Sequence, residues 1–533
     1  MNDGRGAEVI LRSPRAELAI PDVALTEFAV VKRGVQRDAL ALVDTVSGAA
    51  YTYAELEERV RRTAGGLVAR GFRRGDVLAL YAPNSIDYPV LFHAAALAGG
   101  ATTTINPLYT PHEAARQLAD SRARVLVTTP ALADAARAAV QAAPVEQLYT
   151  FGPGAGLPDV AELRAAPPLA AQVPVDPRAD VVALPYSSGT TGLPKGVQLT
   201  HTNLVANVLQ LGTSGHFVAD DRYVCVLPMF HIYGLVAITN VALHLGATVH
   251  VAPKFELESL LATLKNARIT VAHLVPPIVL QLAKRADVTR DSFPHLRTIF
   301  SGAAPLSEAV VEACRTRLGV NVIQGYGMTE SSPTTHVSPH APELQRAGSV
   351  GALVANTECR LVDPETRRDV ARGERGEIWV RGPQVMKGYL NEPDATRATV
   401  DVEGWLHTGD IGLVDDAEQL FVVDRLKELI KYKGFQIAPA ELEAVLVAHP
   451  AVADAAVIPL ADEHAGEVPQ AFVVRKAAIE VEELLAYVAS RVAPHKKLRA
   501  LTFVDAIPRS ASGKILRRVI AAAERTRRAG PGA

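Results

Sequence analysis

Two hydrophobic periods alternate along most of the chain. Over residues 53–71, Leu56, Val60, Ala64, Leu67 and Val68 recur at helical spacing, and Gly71 stands where a helix stop belongs. The following run, DVLALYAP at 76–83, is short and apolar, which predicts a buried strand. Strand-like runs return at RVLVTTP (124–130), YVCVLP (223–228), ATVHVAP (247–253), ITVAHLVP (269–276) and TIFSGAAP (298–305), with helical stretches between several of them. This alternation predicts a mainly parallel, doubly wound α/β architecture, in which ligands sit beyond the carboxyl ends of strands.

Two breaks interrupt the pattern. Residues 152–180 are rich in Pro, Gly and Ala and predict a surface connection ahead of the strand VVALPYSS. After about residue 425 lysine-rich segments appear, followed by a shorter α/β pattern. The expected division is therefore a large N-terminal domain of doubly wound sheets, 1–426, and a small α+β C-terminal domain, 427–533, meeting at Lys427. The basic tail after Arg518 predicts a frayed, solvated end.

Composition narrows the function classes. With 55 basic and 57 acidic residues the net charge is −2, so there is no electrostatic footprint for nucleic acid or an anionic membrane. Cys225, Cys314 and Cys359 form no CxxC pair, which argues against structural zinc and a disulfide framework and fits a reducing compartment. The N-terminus lacks the apolar stretch of a signal peptide, and the most apolar window, 234–252, carries Thr239, Asn240, His244, Thr248 and His250, so it reads as buried core. The terminal AGPGA is neither a prenylation box nor a peroxisomal address. A cytoplasmic protein, monomer or homodimer, is expected.

The segment YSSGTTGLPKG at 186–196 follows an apolar strand. Its glycines permit tight turns with N–H groups facing one point, Ser187, Ser188, Thr190 and Thr191 add hydroxyls around Gly189, and Lys195 adds a mobile charge, which together make a phosphate cradle. Most Ser/Thr/Gly clusters are plain surface loops. This one is not a Walker A loop either, because Gly196 follows Lys195 where Ser or Thr is required.

SSGTTGLPKG resembles the signature of the adenylate-forming superfamily, which includes acyl-CoA synthetases, 4-coumarate–CoA ligases, luciferases and peptide-synthetase adenylation domains. Four further segments occur in that family's order: QGYGMTE (324–330), GWLHTGD (404–410), VDRLKELIKYKGFQIAPAELE (423–443) and PRSASGKILRR (508–518). The resemblance spans nearly the whole chain, and KELIKYKGFQ is most similar to the 4-coumarate–CoA ligase branch, in its bacterial form.

The resemblance implies an acyl-AMP intermediate made from a carboxylic acid and ATP, then attack by the thiol of coenzyme A. It assigns ATP or AMP binding to Ser187, Ser188, Gly189, Thr190, Thr191, Lys195, Gln324, Gly325, Thr329, Asp410, Arg425 and Lys514. Glu330 is the expected Mg²⁺ ligand, since a hard cation that bridges phosphates prefers oxygen donors. Asp410 is placed to accept the ribose hydroxyls. Lys514 is the expected catalytic lysine: an ammonium bridging the acyl carboxylate and the α-phosphate orients the attack and stabilises the charge that builds there. Lys431, Gln436 and His231 complete the catalytic assignment, His231 as a gate or positioner within an apolar run. The same resemblance implies that the small domain is mobile and rotates about Lys427, exchanging Lys514 for the KYKGFQ loop between half-reactions. Coenzyme A then meets Lys254, Lys433 and Gly434.

The acyl site is assigned to His231, Tyr233, Ala303, Gly325, Lys427 and Lys431, with Ile232, Val236, His273, Phe300, Gly302, Gly327, Pro333, Thr334 and Thr335 also lining it. Val236, His273 and Phe300 stand where the plant pattern has Asn, Met and Lys, and Thr334 and Thr335 replace an aliphatic pair, leaving fewer groups to bond a 4-hydroxyl. The expected acid is 4-coumarate or cinnamate, with a medium-chain fatty acid as the alternative. A carrier-loading adenylation enzyme is less favoured because no carrier domain follows Lys514. A luciferase-like oxygenase also fits the fold, but the coumarate-type KYKGFQ counts against it. A non-catalytic nucleotide-binding protein would be expected to have lost Lys514, Glu330 or the 187–196 loop.

Overall fold

A computed structural model describes residues 9–31, 37–187, 194–304, 306, 308–433, 435–462, 464–510 and 513–529, with backbone only at 435, 436 and 466. Of the expected site residues, Ser188, Gly189, Thr190, Thr191, Gly434 and the side chain of Gln436 lie outside that description.

The strand Val77–Tyr81 is buried along its whole length and sits inside a parallel run, Val181–Ser187, Ala101–Ile105, Val77–Tyr81, Val125–Thr128, Gln147–Thr150. Strands covered on both faces have no polar alternation, which is why the sequence reads there as continuous apolar runs. Lys195–Thr200 and Gly388–Tyr389 add antiparallel strands at its edge. A second sheet orders Ala352–Leu353, Thr334–Val337, Asn321–Gly327, Thr298–Ser301, Val271–Leu274, Arg222–Cys225, Thr248–Val251, Leu40–Asp44 and Ala50–Thr52, and is parallel from Asn321–Gly327 through Leu40–Asp44. The expected α/β architecture is thus the one adopted. An antiparallel sheet follows, ending in Leu406–Val414 and Leu420–Arg425, where Asp410 pairs in register with Arg425.

The last sheet is built from Phe435–Ile437, Ile430–Tyr432, Gly466–Arg475 and Val452–Asp462, with Ala500–Phe503 parallel to Gly466–Arg475. It has its own core, including Ile430, Leu442, Leu446, Val457, Val473, Leu484 and Val488.

The helix Tyr53–Ala69 starts at Thr52, whose side chain accepts from Glu55 N–H while Glu55 reaches back to Thr52 N–H. Leu56, Val60, Ala64 and Leu67 are buried as expected, but Val68 is exposed, because adjacent helical positions are turned about 100° apart. Residues 152–180 form the expected surface connection, anchored by the 3₁₀ turn Val160–Ala165, whose Leu163 is fully buried against Gly66. A Cβ on Gly66 would stand 2.1 Å from the Leu163 carbonyl oxygen, so only glycine permits this approach. The basic tail is helical from Arg517 to Ala529, with Ile520 and Glu524 buried, and Glu524 pairs with Arg527 and Arg528. The tail is ordered as helix where fraying was expected, while Arg525, Arg527 and Arg528 stay exposed to solvent. Among the described residues, no helix is long and apolar enough to cross a membrane.

Candidate active site

Glu330 lies in the turn Thr329–Ser331 after the strand Asn321–Gly327 and is only 3% exposed. Gly327 is required at this turn, since a Cβ there would stand 1.8 Å from the Pro333 carbonyl oxygen. Two hydroxyls donate to the same carboxylate oxygen of Glu330: Ser187 Oγ at 2.9 Å and Tyr389 Oη at 2.9 Å. Met386 N–H holds the Glu330 backbone carbonyl at 2.8 Å. The Lys195 ammonium sits 5.3 Å from the centre of the Tyr389 ring, so one tyrosine touches both the expected metal ligand and the cradle lysine. The fit for Mg²⁺ is reasonable: among the described residues both donors fall on Oε1, which leaves Oε2 to a cation also bound by phosphate oxygens. Among the described residues no cluster of three His, Cys, Asp or Glu could hold a metal by itself.

Asp410 is buried beside Arg425, whose Nε lies 3.4 Å from Oδ1, and the Tyr326 hydroxyl donates to Oδ2 at 2.7 Å. Burial raises the Asp410 pKa, and Arg425 and Tyr326 oppose that rise. Gln324 is buried, and its side-chain amide donates to the Ser349 carbonyl at 3.2 Å. Thr329 borders a small cavity of about 30 Å³ shared with Asn106, Tyr109, Tyr186, His231 and Ile232. A roomier cleft of about 340 Å³ near Asp22, Arg178 and Thr202 shares none of the expected site residues, and its size alone does not mark it as the reaction centre.

Lys514 enters this site from the C-terminal part of the chain. Its loop is held by Lys514 N–H to Ser510 Oγ (3.1 Å) and Ser510 N–H to the Lys514 carbonyl (2.8 Å). Desolvation lowers the Lys514 pKa, as does Arg425, while Asp410, Glu330 and Glu428 counter both. Those partners place the ammonium in one electrostatic field with the expected ribose and metal carboxylates. His231 joins the same field: burial first, then the Lys514 charge, pushes its imidazole down to about 4, so it is neutral at physiological pH. Its Nδ1 accepts from Tyr233 N–H at 3.2 Å.

The expected acyl residues meet in an aromatic cluster. His273 stacks on Phe300 with ring centres 4.9 Å apart, and Tyr233 stands edge-on to both. The two glycines provide flat walls: a Cβ on Gly302 would stand 3.3 Å from the Tyr233 ring, and one on Gly325 would stand 2.6 Å from Phe300. Ala303 adopts φ = 73°, a left-handed conformation that is strained for any residue with a Cβ. Both ring nitrogens of His273 and the Tyr223 hydroxyl are buried without a protein partner.

Other expected residues lie elsewhere. Lys427 is exposed, and Lys431 and Lys433 are exposed on the 430–437 hairpin, apart from the buried Tyr233 and Phe300. Lys433 stacks over Tyr432, and Lys254 pairs with Glu256 at 2.6 Å in an exposed position. The sequence reading missed Tyr389, Glu428 and Phe217, whose ring stacks 5.6 Å from His273 and lies 6.1 Å from Phe300. KGYLNE carries no glycine-rich or charged signature that would single out Tyr389.

Comparisons with known proteins identify the family and the fold. The family described as AMP-binding enzyme matches residues 30–390, and the AMP-binding enzyme C-terminal domain matches 441–514. The chain is 43% identical to 4-coumarate–CoA ligase 5 of Oryza sativa subsp. japonica over 523 residues, covering 96% of each chain. Among solved structures it resembles ATP-bound MatB from Rhodopseudomonas palustris (TM-score 0.87, 31% identity, 94% of this chain and 99% of that one). It also resembles the anthranilate CoA ligase AuaEII in complex with anthranoyl-AMP (TM-score 0.89, 25% identity, 96% of this chain and 99% of that one).

Proposed function

Because this chain belongs to the AMP-binding enzyme family and is an acid–thiol ligase that works through an acyl-adenylate, we propose that its acid is a 4-coumarate- or cinnamate-type arylpropenoate. The reading is supported by 43% identity to a 4-coumarate–CoA ligase over nearly the whole chain and by the aromatic cluster of His273, Phe300 and Tyr233, on which Gly302 and Gly325 pack.

In the first half-reaction the acid's carboxylate oxygen attacks the α-phosphorus of ATP and pyrophosphate leaves with the bond's electron pair. Lys514 bridges the two anionic reactants and stabilises the charge on the α-phosphate. Asp410 accepts from the ribose hydroxyls, with Arg425 holding the carboxylate in place. Glu330 would hold the Mg²⁺ that accompanies ATP, and the cation would supply charge neutralisation for the phosphates. Ser187, Lys195 and Thr329 receive phosphate oxygens, together with Ser188, Gly189, Thr190 and Thr191. Neutral His231 borders the reacting carboxylate and positions it without competing for the proton balance.

In the second half-reaction the thiolate of coenzyme A attacks the acyl carbon and AMP leaves. The domain 427–533 turns about Lys427, withdrawing Lys514 and bringing Lys431, Lys433, Gly434 and Gln436 toward the domain 1–426, where Lys254 meets the coenzyme's nucleotide. With Lys514 in the field of Asp410, Glu330 and His231, the present orientation suits adenylation. The buried, unpaired cysteines fit a reducing, cytoplasmic setting.

The test is thioester formation across cinnamate, 4-coumarate, caffeate, benzoate, hexanoate and octanoate. Arylpropenoates should give the highest kcat/KM; a preference for octanoate would replace the substrate assignment.

A further inference from the structure

The helix Pro276–Lys284 belongs to the N-terminal sheets, yet both its ends touch the C-terminal part. Val275, at its N-cap, packs on Gly513: a Cβ there would stand 3.2 Å from Val275 Cβ and Cγ2. Gly513 has φ = 81°, so its own lack of a side chain makes both the turn and this approach possible. At the other end, Lys284 Nζ donates to the Val452 carbonyl at 3.4 Å; burial and then the Lys476 charge lower its pKa, and the Asp454 carboxylate opposes them.

These two contacts are joined through backbone and side chains. Asp454 holds Arg509 through both carboxylate oxygens, at 2.7 and 3.2 Å. Arg509 Nη1 in turn donates to the Gly513 carbonyl at 2.9 Å. Gly513 directly precedes Lys514, so the connection runs from Lys284 through the Val452–Asp454 backbone and Arg509 to the catalytic lysine. At 1.5 Å per residue the helix spaces its two contacts by about 14 Å, enough to fix the angle at which the C-terminal part seats.

We propose that the helix 276–284 is a docking rail for the adenylating orientation, with Lys284 as a positioning residue that seats Lys514. This rests on the two-orientation scheme given above. Lys284 touches neither substrate nor reacting atoms, and its contacts are lost once the C-terminal domain turns. It should therefore matter to one half-reaction alone.

The half-reactions separate this cleanly. Acid-dependent pyrophosphate release without coenzyme A reads adenylation, and thioester formation from supplied acyl-adenylate reads the second step. Lys284→Ala should slow adenylation about fivefold. Lys284→Glu should slow it further, because a carboxylate cannot donate to the Val452 carbonyl, and Lys284→Arg should restore it. Thioester formation from the adenylate should be unchanged in all three. Equal losses in both steps, or no loss in either, overturn the docking role. Lys514→Ala, run alongside, reads the underlying scheme: if it keeps adenylation, the scheme falls and the rail with it. If Lys514→Ala abolishes adenylation while Lys284→Glu leaves it intact, the rail alone falls.

Discussion

The Tyr389 hydroxyl donates to Glu330 Oε1 at 2.9 Å, and the face of the same ring carries the Lys195 ammonium. A hydrogen bond to a charged group is worth about 1.5–3 kcal/mol. Tyr389→Phe keeps the ring and removes only the donor, so adenylation kcat/KM for Mg·ATP should fall about 10- to 100-fold. Titrating ATP and Mg²⁺ separately in pyrophosphate-release assays checks this; an unchanged Mg²⁺ dependence would show that Ser187 alone orients Glu330.

Lys514 carries a pKa below its ordinary 10.5, chiefly from desolvation and then from Arg425. The ammonium is the working form, so adenylation falls as pH rises through that lowered value. The alkaline limb of kcat/KM for ATP, which reports the free enzyme, should lie below 10.5. In kcat the limb should move upward, because bound phosphates favour the charged form. His231, with its pKa near 4, should add no limb between pH 5 and 8. The pH profile of pyrophosphate release, repeated in His231→Gln, checks both.

Burial holds His93, His273 and His336 to pKa values near 3, and His201, His216, His231 and His250 near 4. Unfolded imidazoles titrate near 6.5, so below that pH the unfolded state takes up protons that the folded state excludes. The stability is complete above pH 6.5 and is lost as pH falls toward the folded values. Even one such histidine is worth on the order of 3 kcal/mol. Urea midpoints should therefore drop as pH falls below 6.5. A flat midpoint from pH 6.5 to 5 would contradict this.

Gly325 and Gly327 differ in what a methyl group would meet. Beyond Gly325 it reaches the Phe300 ring at 2.6 Å, a side chain that can turn at a cost of about 1–3 kcal/mol. Beyond Gly327 it reaches the Pro333 backbone carbonyl at 1.8 Å, which has no such freedom. Gly325→Ala should stay folded and discriminate against the bulkier arylpropenoates, while Gly327→Ala should lose ATP-dependent stabilisation altogether. Thermal melts with and without Mg·ATP distinguish the two.

His273→Met removes two buried ring nitrogens that have no protein partner. Leaving such groups unsatisfied costs about 1–3 kcal/mol, so the variant should melt no lower than the parent. If those nitrogens bind a hydroxyl on the acid's ring, its ratio of 4-coumarate to cinnamate kcat/KM should fall; an unchanged ratio assigns them no part in selectivity.

The strands and the helix Tyr53–Ala69 were legible in the sequence because burial on one or both faces writes itself into the spacing of apolar residues. The family was legible because the segments at 186–196, 324–330 and 404–410 hold glycines, hydroxyls and charges in unusual local order. Neither signal reaches contacts between segments far apart in the chain. Tyr389 on Glu330, Glu428 in the field of Lys514, the aromatic cluster around His273 and the seating of Gly513 on Val275 each join such segments. The tail after Arg518 shows the same limit: its composition suits solvent, but Glu524 pairs with Arg527 and Arg528 and Ile520 has a core to enter, so it folds as helix. Sequence alone determined which chemistry the chain carries, since that depends on residue types in local order. Which orientation the C-terminal part takes, and which side chains hold the reacting groups in place, was decided only by tertiary packing, because burial and charge pairing depend on what the fold brings within a few ångströms.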